Sequence, residues 1–322
     1  MSDLPHPSRR QTLKFLVSAP LLPLGASSAL LAGCSTAAPA TKEYVATSFT
    51  PMAAPTLANA AAMATTTVGS TLNVHYSDKS VQSYRLAYQP FFITGQQVAD
   101  GKGGSILAGG YYDINNKPII DRSVAGKERQ FFSDSPDGTS LLSLPNPTVV
   151  GVKGKAVFGV VQFEYTTRDQ AGAASGKNNA YGTLPSPIAV LTLDQDQGNG
   201  KLQLVKYHNV DTAAVHGLWI TCGASLSPWN THLSSEEYEP DAQFISDSPF
   251  FKTFSKNLFG DENKANPYHY GHLPEVTVHA DGSGSIKKHF CLGRISHELI
   301  QVMPDNRTVL MGDDYTNGGF FM

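Results

Sequence analysis

Charge is scarce in this sequence: Asp, Glu, Lys and Arg together make up 16% of its 322 residues, and no long run carries one sign. Lys plus Arg number 24 against 27 Asp plus Glu, so the basic face that nucleic acid demands is missing. Three cysteines are too few for a disulfide scaffold. No apolar stretch has the length and continuity of a membrane span, and no long stretch carries a clean helical stripe. The WD and kelch signatures of the common repeat folds are absent too. What remains is 41% hydrophobic residues, 10% aromatics, 29 glycines and 20 prolines, enough apolar material for a sizeable core with many turns. Thr, Ser, Gly and aromatics outweigh Glu, Lys and Arg, which tilts the expectation toward an all-β fold.

The first 34 residues read as an address. Ser8-Arg9-Arg10-Gln11-Thr12-Leu13-Lys14 has the form of a twin-arginine export signal. Residues Phe15 to Ala32 are weakly apolar and broken by Pro20, Pro23 and Gly25, as in a signal peptide. Leu31-Ala32-Gly33-Cys34 resembles a lipobox, which would place a lipid anchor on Cys34 and tie the protein to a membrane. An ordinary signal peptide cleaved nearby is the alternative. Loss of residues 1–34 leaves a net charge of about −5. The expected location is the periplasm or cell envelope, reached in folded form through the twin-arginine machinery. Residues 35–70, rich in Ala, Thr, Ser and Pro with only Lys42 and Glu43 charged, are expected as a flexible tether.

From Thr71 the chain repeats alternating runs joined by turn residues. Leu72 to Tyr76 and Val81 to Tyr88 flank Ser77-Asp78-Lys79-Ser80, and Val157 to Tyr165 follows Lys153-Gly154-Lys155. Ile188 to Leu193 and Lys201 to Lys206 flank an Asp/Gly-rich turn, as do Glu275 to His279 and Ser285 to Phe290. Leu299 to Met303 and Thr308 to Met311 flank Pro304-Asp305-Asn306-Arg307. Each pair is a hairpin signal. Successive hairpins must close on themselves to hide their edges, and a spacing of roughly 40 to 50 residues suits the blades of a β-propeller over residues 71–322. The apolar ending Phe320-Phe321-Met322 leads to the expectation that the propeller is truncated at its C-terminus.

The densest chemistry lies between Thr221 and Glu237, where Cys222 precedes the pair Glu236-Glu237 by 14 residues. A thiolate suits softer transition metals and carboxylates suit hard cations, so one site combining them could hold both kinds. Adjacent glutamates on a regular strand point to opposite faces; both line one site only if the backbone leaves the strand there. The bland alternative is a buried cysteine beside a solvated acidic loop. Arg294, His297 and Glu298 gather at the start of a later strand and Asp313-Asp314 at a strand exit, the loop positions where propellers place their sites. In an oxidising compartment Cys222 and Cys291 also permit a structural disulfide.

Three segments together resemble the PhoX-type bacterial alkaline phosphatases. The pattern is carried by Cys222, Ser227-Pro228-Trp229, Leu233 and Glu236-Glu237; by Gly293-Arg294 with His297-Glu298; and by Gly312-Asp313-Asp314, with Tyr270-Gly271 to Glu275 between them. Thr221, the Gly-Ala-Ser stretch after Cys222, and His232 depart from it. The resemblance implies a six-bladed propeller, incomplete here, that hydrolyses phosphate monoesters with ferric iron and calcium. It implies Cys222 as an iron ligand, Glu236, Glu237, Glu298 and one of Asp313 or Asp314 as carboxylate ligands, and Arg294 and His297 as phosphate-contacting or orienting residues. The alternative from another class is a non-catalytic surface propeller that binds a ligand or a protein partner. A calcium-only hydrolase is a third reading.

Overall fold

The computed structural model describes residues 42–54, 56–59, 61, 65–172, 180–244 and 248–322, so the export motif and Cys34 lie outside the described residues. The chain divides into two compact units, Met1–Pro90 and Phe91–Met322. Among the described residues no helix is long and apolar enough to cross a membrane.

In the first unit, strands β1 (Tyr44–Phe49), β2 (Thr67–Tyr76) and β3 (Val81–Ala87) form an antiparallel sheet in chain order. The β2–β3 turn follows its sequence signal: the Asp78 carboxylate accepts from the Ser80 N–H at 2.9 Å and Lys79 takes φ 66°. Two stretches of the segment expected as a tether are strand, because β1 pairs with β2 from Tyr44 to Phe49.

The second unit is built of antiparallel meanders. Strands β8 (Pro136–Leu142), β9 (Lys155–Phe163), β10 (Ile188–Gln195) and β11 (Leu202–Asn209) form one four-stranded sheet. Strands β12 (Ser225–Leu226), β13 (His232–Leu233), β14 (Leu273–Val278) and β15 (Gly284–His289) form another, followed by the sheet of β16 (His297–Val302), β17 (Val309–Asp313) and β18 (Phe320–Phe321). Before them come two short hairpins, β4 (Gln97–Ala99) with β5 (Ser105–Leu107) and β6 (Ile120–Asp121) with β7 (Arg129–Gln130). The hairpin expectations from Val157 onward all fall on paired strands. Their turns share one device, an Asp carboxylate accepting from N–H groups two or three residues ahead, at Asp196, Asp281 and Asp305.

The period of two then stacks the sheets. Along β10, Ile188 and Val190 join a core with Val276 and Val278 of β14, while Ala189, Leu191 and Leu193 join a second core with Ala108, Val98 and Ile106. The far face of the β12–β15 sheet packs Leu233 and Leu273 against Ile300, Val302 and Met311. Sheets thus lie face to face in chain order, as propeller blades do, and the fold is all-β apart from short helical pieces. The main exception is α1 (Pro249–Phe259), capped by Ser248 at its start and by Gly260 (φ 76°) at its end. Its Phe251, Phe254 and Leu258 bury against Trp219, Ile220 and Tyr270, which braces the chain just ahead of Cys222.

Candidate metal centre

The segment Leu218 to Cys222 runs antiparallel to Ser235–Glu237. Thr221 bridges Glu236, the Cys222 N–H donates to the Ser235 carbonyl at 3.1 Å, and the Glu237 N–H donates to the Ile220 carbonyl at 2.9 Å. At both edges the backbone turns left-handed, at Ile220 (φ 37°) and Tyr238 (φ 47°). A β-branched and an aromatic residue hold that conformation at roughly 1–3 kcal/mol each, a strain that concentrates at functional sites.

This pairing brings three of the expected residues together. One donor atom each from Cys222, Glu237 and Glu298 lie within 4.8 Å of one another, and the Cys222 Sγ stands 3.4 Å from Glu298 Oε2. Two residues that sequence reasoning missed complete the cluster from the other side: Asp137 of β8 and Glu164, just past β9, also lie within 4.8 Å of Cys222 and of each other. Glu164 follows an apolar strand and leaves it for a loop, the same signal that singled out Asp313-Asp314. Among the described residues no ion pair engages Asp137, Glu164, Glu237 or Glu298.

Burial first, and neighbouring acids after it, raise Glu237, Glu164 and Cys222. Burial, reinforced by the hydrogen bond to Asp314, pushes the Glu237 carboxyl up to about 8. Burial and then the Asp137 charge push Glu164 up to about 7. Burial and then the surrounding carboxylates, Glu237 first, drive the Cys222 thiol upward. Tyr238 Oη donates to Asp314 Oδ2 at 2.6 Å, so Asp314 reaches the cluster through Glu237 and Tyr238.

The other expected residues point elsewhere. Glu236 alternates with Glu237 and is fully buried on the opposite side, accepting from Lys288 Nζ at 2.9 Å, the Trp219 N–H at 2.9 Å and the His272 N–H at 3.1 Å. Arg294 donates its guanidinium hydrogens to the carbonyls of Tyr270, Pro240 and Pro267. His297 is buried, and that burial pulls its ring down to about 4; its Nδ1 has no hydrogen-bond partner. Asp313 accepts from the N–H groups of Ser296 and Gly319 and shapes the β17–β18 connection. His232 is a satisfied core residue between Ser140 and Gln162, held neutral by burial, which lowers it to about 3. Cys222 and Cys291 are both free thiols. A separate cavity of about 570 Å³ between the β4–β5 turn and the end of β11 has Asp100, Asp211 and Ser283 spent on their own turns.

Gly223 permits the closest approach at the cluster. A Cβ there would stand 2.2 Å from the Glu298 carbonyl oxygen, so Gly223→Ala must push β16 away from Cys222. The expected result is a loss of roughly 1–3 kcal/mol in unfolding free energy together with reduced metal retention. Unchanged thermal unfolding and metal content in this variant would show that the approach is not required.

No curated protein matches the chain. Among solved structures, the chain is similar to Pseudomonas fluorescens PhoX in complex with vanadate, a transition state analogue, at 17% identity and a TM-score of 0.36, over 70% of this chain and 48% of that one. The chain therefore spans about half the length of that protein. Asp137 and Glu164 precede the segment that carries a family match, whereas Cys222, Glu237, Glu298 and Asp314 lie inside it. Residues 195–322 match the family alkaline phosphatase PhoX.

Proposed function

We propose that the cluster around Cys222 is the metal centre of an exported phosphatase that hydrolyses phosphate monoesters, with ferric iron on the thiolate side and calcium among the carboxylates. The observation that carries this reading is the meeting of Cys222, Glu237 and Glu298 within 4.8 Å, with Asp137 and Glu164 closing on the same sulfur. The donor set fits such ions: one soft sulfur and four hard carboxylates, among which burial first and neighbouring acids second bring Glu164 to about 7 and Glu237 to about 8. Bound metal supplies the positive charge that attracts a phosphate and stabilises charge developing in the transition state.

The chain's own residues divide the remaining work. Cys222, Glu237, Glu298, Asp137 and Glu164 hold the ions, and Asp314 with Tyr238 orients Glu237. Arg294 fixes the loop ahead of Glu298 by tying three carbonyls together. The same reading includes a six-bladed propeller in the whole protein, export by the twin-arginine route, and anchoring to the cell envelope through Cys34.

The test is elemental analysis for iron and calcium on protein expressed with its own export signal, paired with p-nitrophenyl phosphate hydrolysis. Iron and calcium with hydrolysis that a chelator abolishes is the expected result; protein with neither metal and no hydrolysis overturns the reading. The engagement of Arg294 by backbone carbonyls favours one alternative, a propeller that binds phosphate-bearing ligands without cleaving them. That alternative predicts metal and phosphate binding with no turnover.

A further inference from the structure

We propose that Lys288 and Glu236 are a positioning pair whose buried contact fixes the spacing of Cys222 from Glu237 and Glu298, and so sets how tightly the cluster holds metal; the inference rests on the metal-centre reading above. Both side chains are completely excluded from solvent. Lys288 Nζ spends its three hydrogens on Glu236 Oε1 at 2.9 Å, the His269 carbonyl at 2.9 Å and the Gly217 carbonyl at 3.1 Å, with the Tyr270 ring 5.0 Å away.

Glu236 in turn touches the segments that carry Cys222, Glu237 and Glu298. Its carboxylate accepts from the Trp219 N–H, three residues before Cys222, and from the His272 N–H. Its carbonyl accepts at 3.0 Å from the N–H of His297, the residue before Glu298. Glu237 is its neighbour in the chain. One residue therefore pins the Cys222 segment, the Glu298 segment and Glu237 to a common point, and Lys288 holds that point in place.

A buried ion pair is a poor device for stability alone, because taking both charges out of water offsets most of their attraction; a pair of apolar side chains would serve a core as well. Its hydrogen bonds are directional where apolar contacts are not. Residues that orient metal ligands from behind change metal affinity by about 10- to 100-fold when replaced.

The test uses cobalt(II), whose thiolate charge-transfer band reports whether Cys222 is a ligand, on the purified full chain. The double variant Lys288→Met with Glu236→Gln keeps similar volumes without burying an unpaired charge, and Glu236→Gln alone provides a second variant. The expected result is a cooperatively unfolding protein that binds cobalt about 10- to 100-fold more weakly than wild type, with a shifted band. A folded variant with wild-type affinity and band overturns the positioning role. If neither variant folds, the pair serves the fold and the proposal fails as well. Wild-type protein that develops no thiolate band would instead sink the metal-centre reading itself.

Discussion

On the proposed metal-centre reading, replacing Cys222 with alanine strips the protein of iron and removes phosphatase activity, with metal retention falling by about 100-fold or more, since a lost ligand weakens a site at least as much as the loss of a residue behind it. The same change should leave the metal-free fold intact. Cys222 is only half-buried, its thiol is held neutral by burial and by the carboxylates around it, and its backbone bond to Ser235 does not depend on the side chain. Cys222→Ser sharpens the test, because a hydroxyl is a hard donor: calcium should survive in the serine variant while iron does not. Iron measured at wild-type level in either variant would show that the sulfur is not a ligand, and the iron half of the proposal would fall while the carboxylate half stood.

Much of this architecture was legible in the sequence because it rests on local chemistry. Asp196, Asp281 and Asp305 announce their turns by residue type, and each turn closes with the carboxylate on nearby N–H groups. The helix α1 was less visible. Its apolar positions Phe251, Phe254 and Leu258 span barely two turns, and only Ser248-Pro249 marks the start. The segment from Tyr44 to Phe49 carried no alternation of burial to find, since nearly every residue of β1 is exposed.

The site was legible where it is continuous in sequence and hidden where it is not. The two carboxylates of Glu236-Glu237 separate, one to Lys288 and one to Cys222, where Glu236 forms a single antiparallel bridge with Thr221. Lys288 could not be foreseen as a partner, because it sits on β15, 52 positions away, in a run that reads as a solvated hairpin. Asp137 and Glu164 reach Cys222 only through packing of one sheet against the next.

The metal-free protein should lose stability as pH rises from about 7 to 9, the reverse of what acid-sensitive ion pairs produce; below that window the buried His232 and His297, pulled down to about 3 and about 4, act in the opposite sense. Glu237 and Glu164 bind protons more tightly in the folded state, at about 8 and about 7, than the 4.5 of an ordinary glutamate. Between these values the native state holds more protons than the unfolded state, so the slope of unfolding free energy with pH is negative. Their contribution is complete below pH 4.5 and is lost as pH passes through 7 and then 8. Across about pH 7 to 9, after discounting for solvent screening, the loss is on the order of 1 kcal/mol. That corresponds to a midpoint lower by roughly 2 to 4 °C for a unit of this size. Metal reverses the effect, because cations replace the protons on the same carboxylates and stabilise the fold by about 3–4 kcal/mol at 100 to 1,000 times Kd. Thermal unfolding followed from about pH 7 to pH 9, with chelator and then with calcium, checks both halves. A chelated midpoint that stays level or rises toward pH 9 would mean that the carboxylates around Cys222 are not crowded enough to need a cation. A midpoint that falls with chelator and recovers with calcium would make the cluster a cation site through the energetics of folding, whatever reaction the bound metal supports.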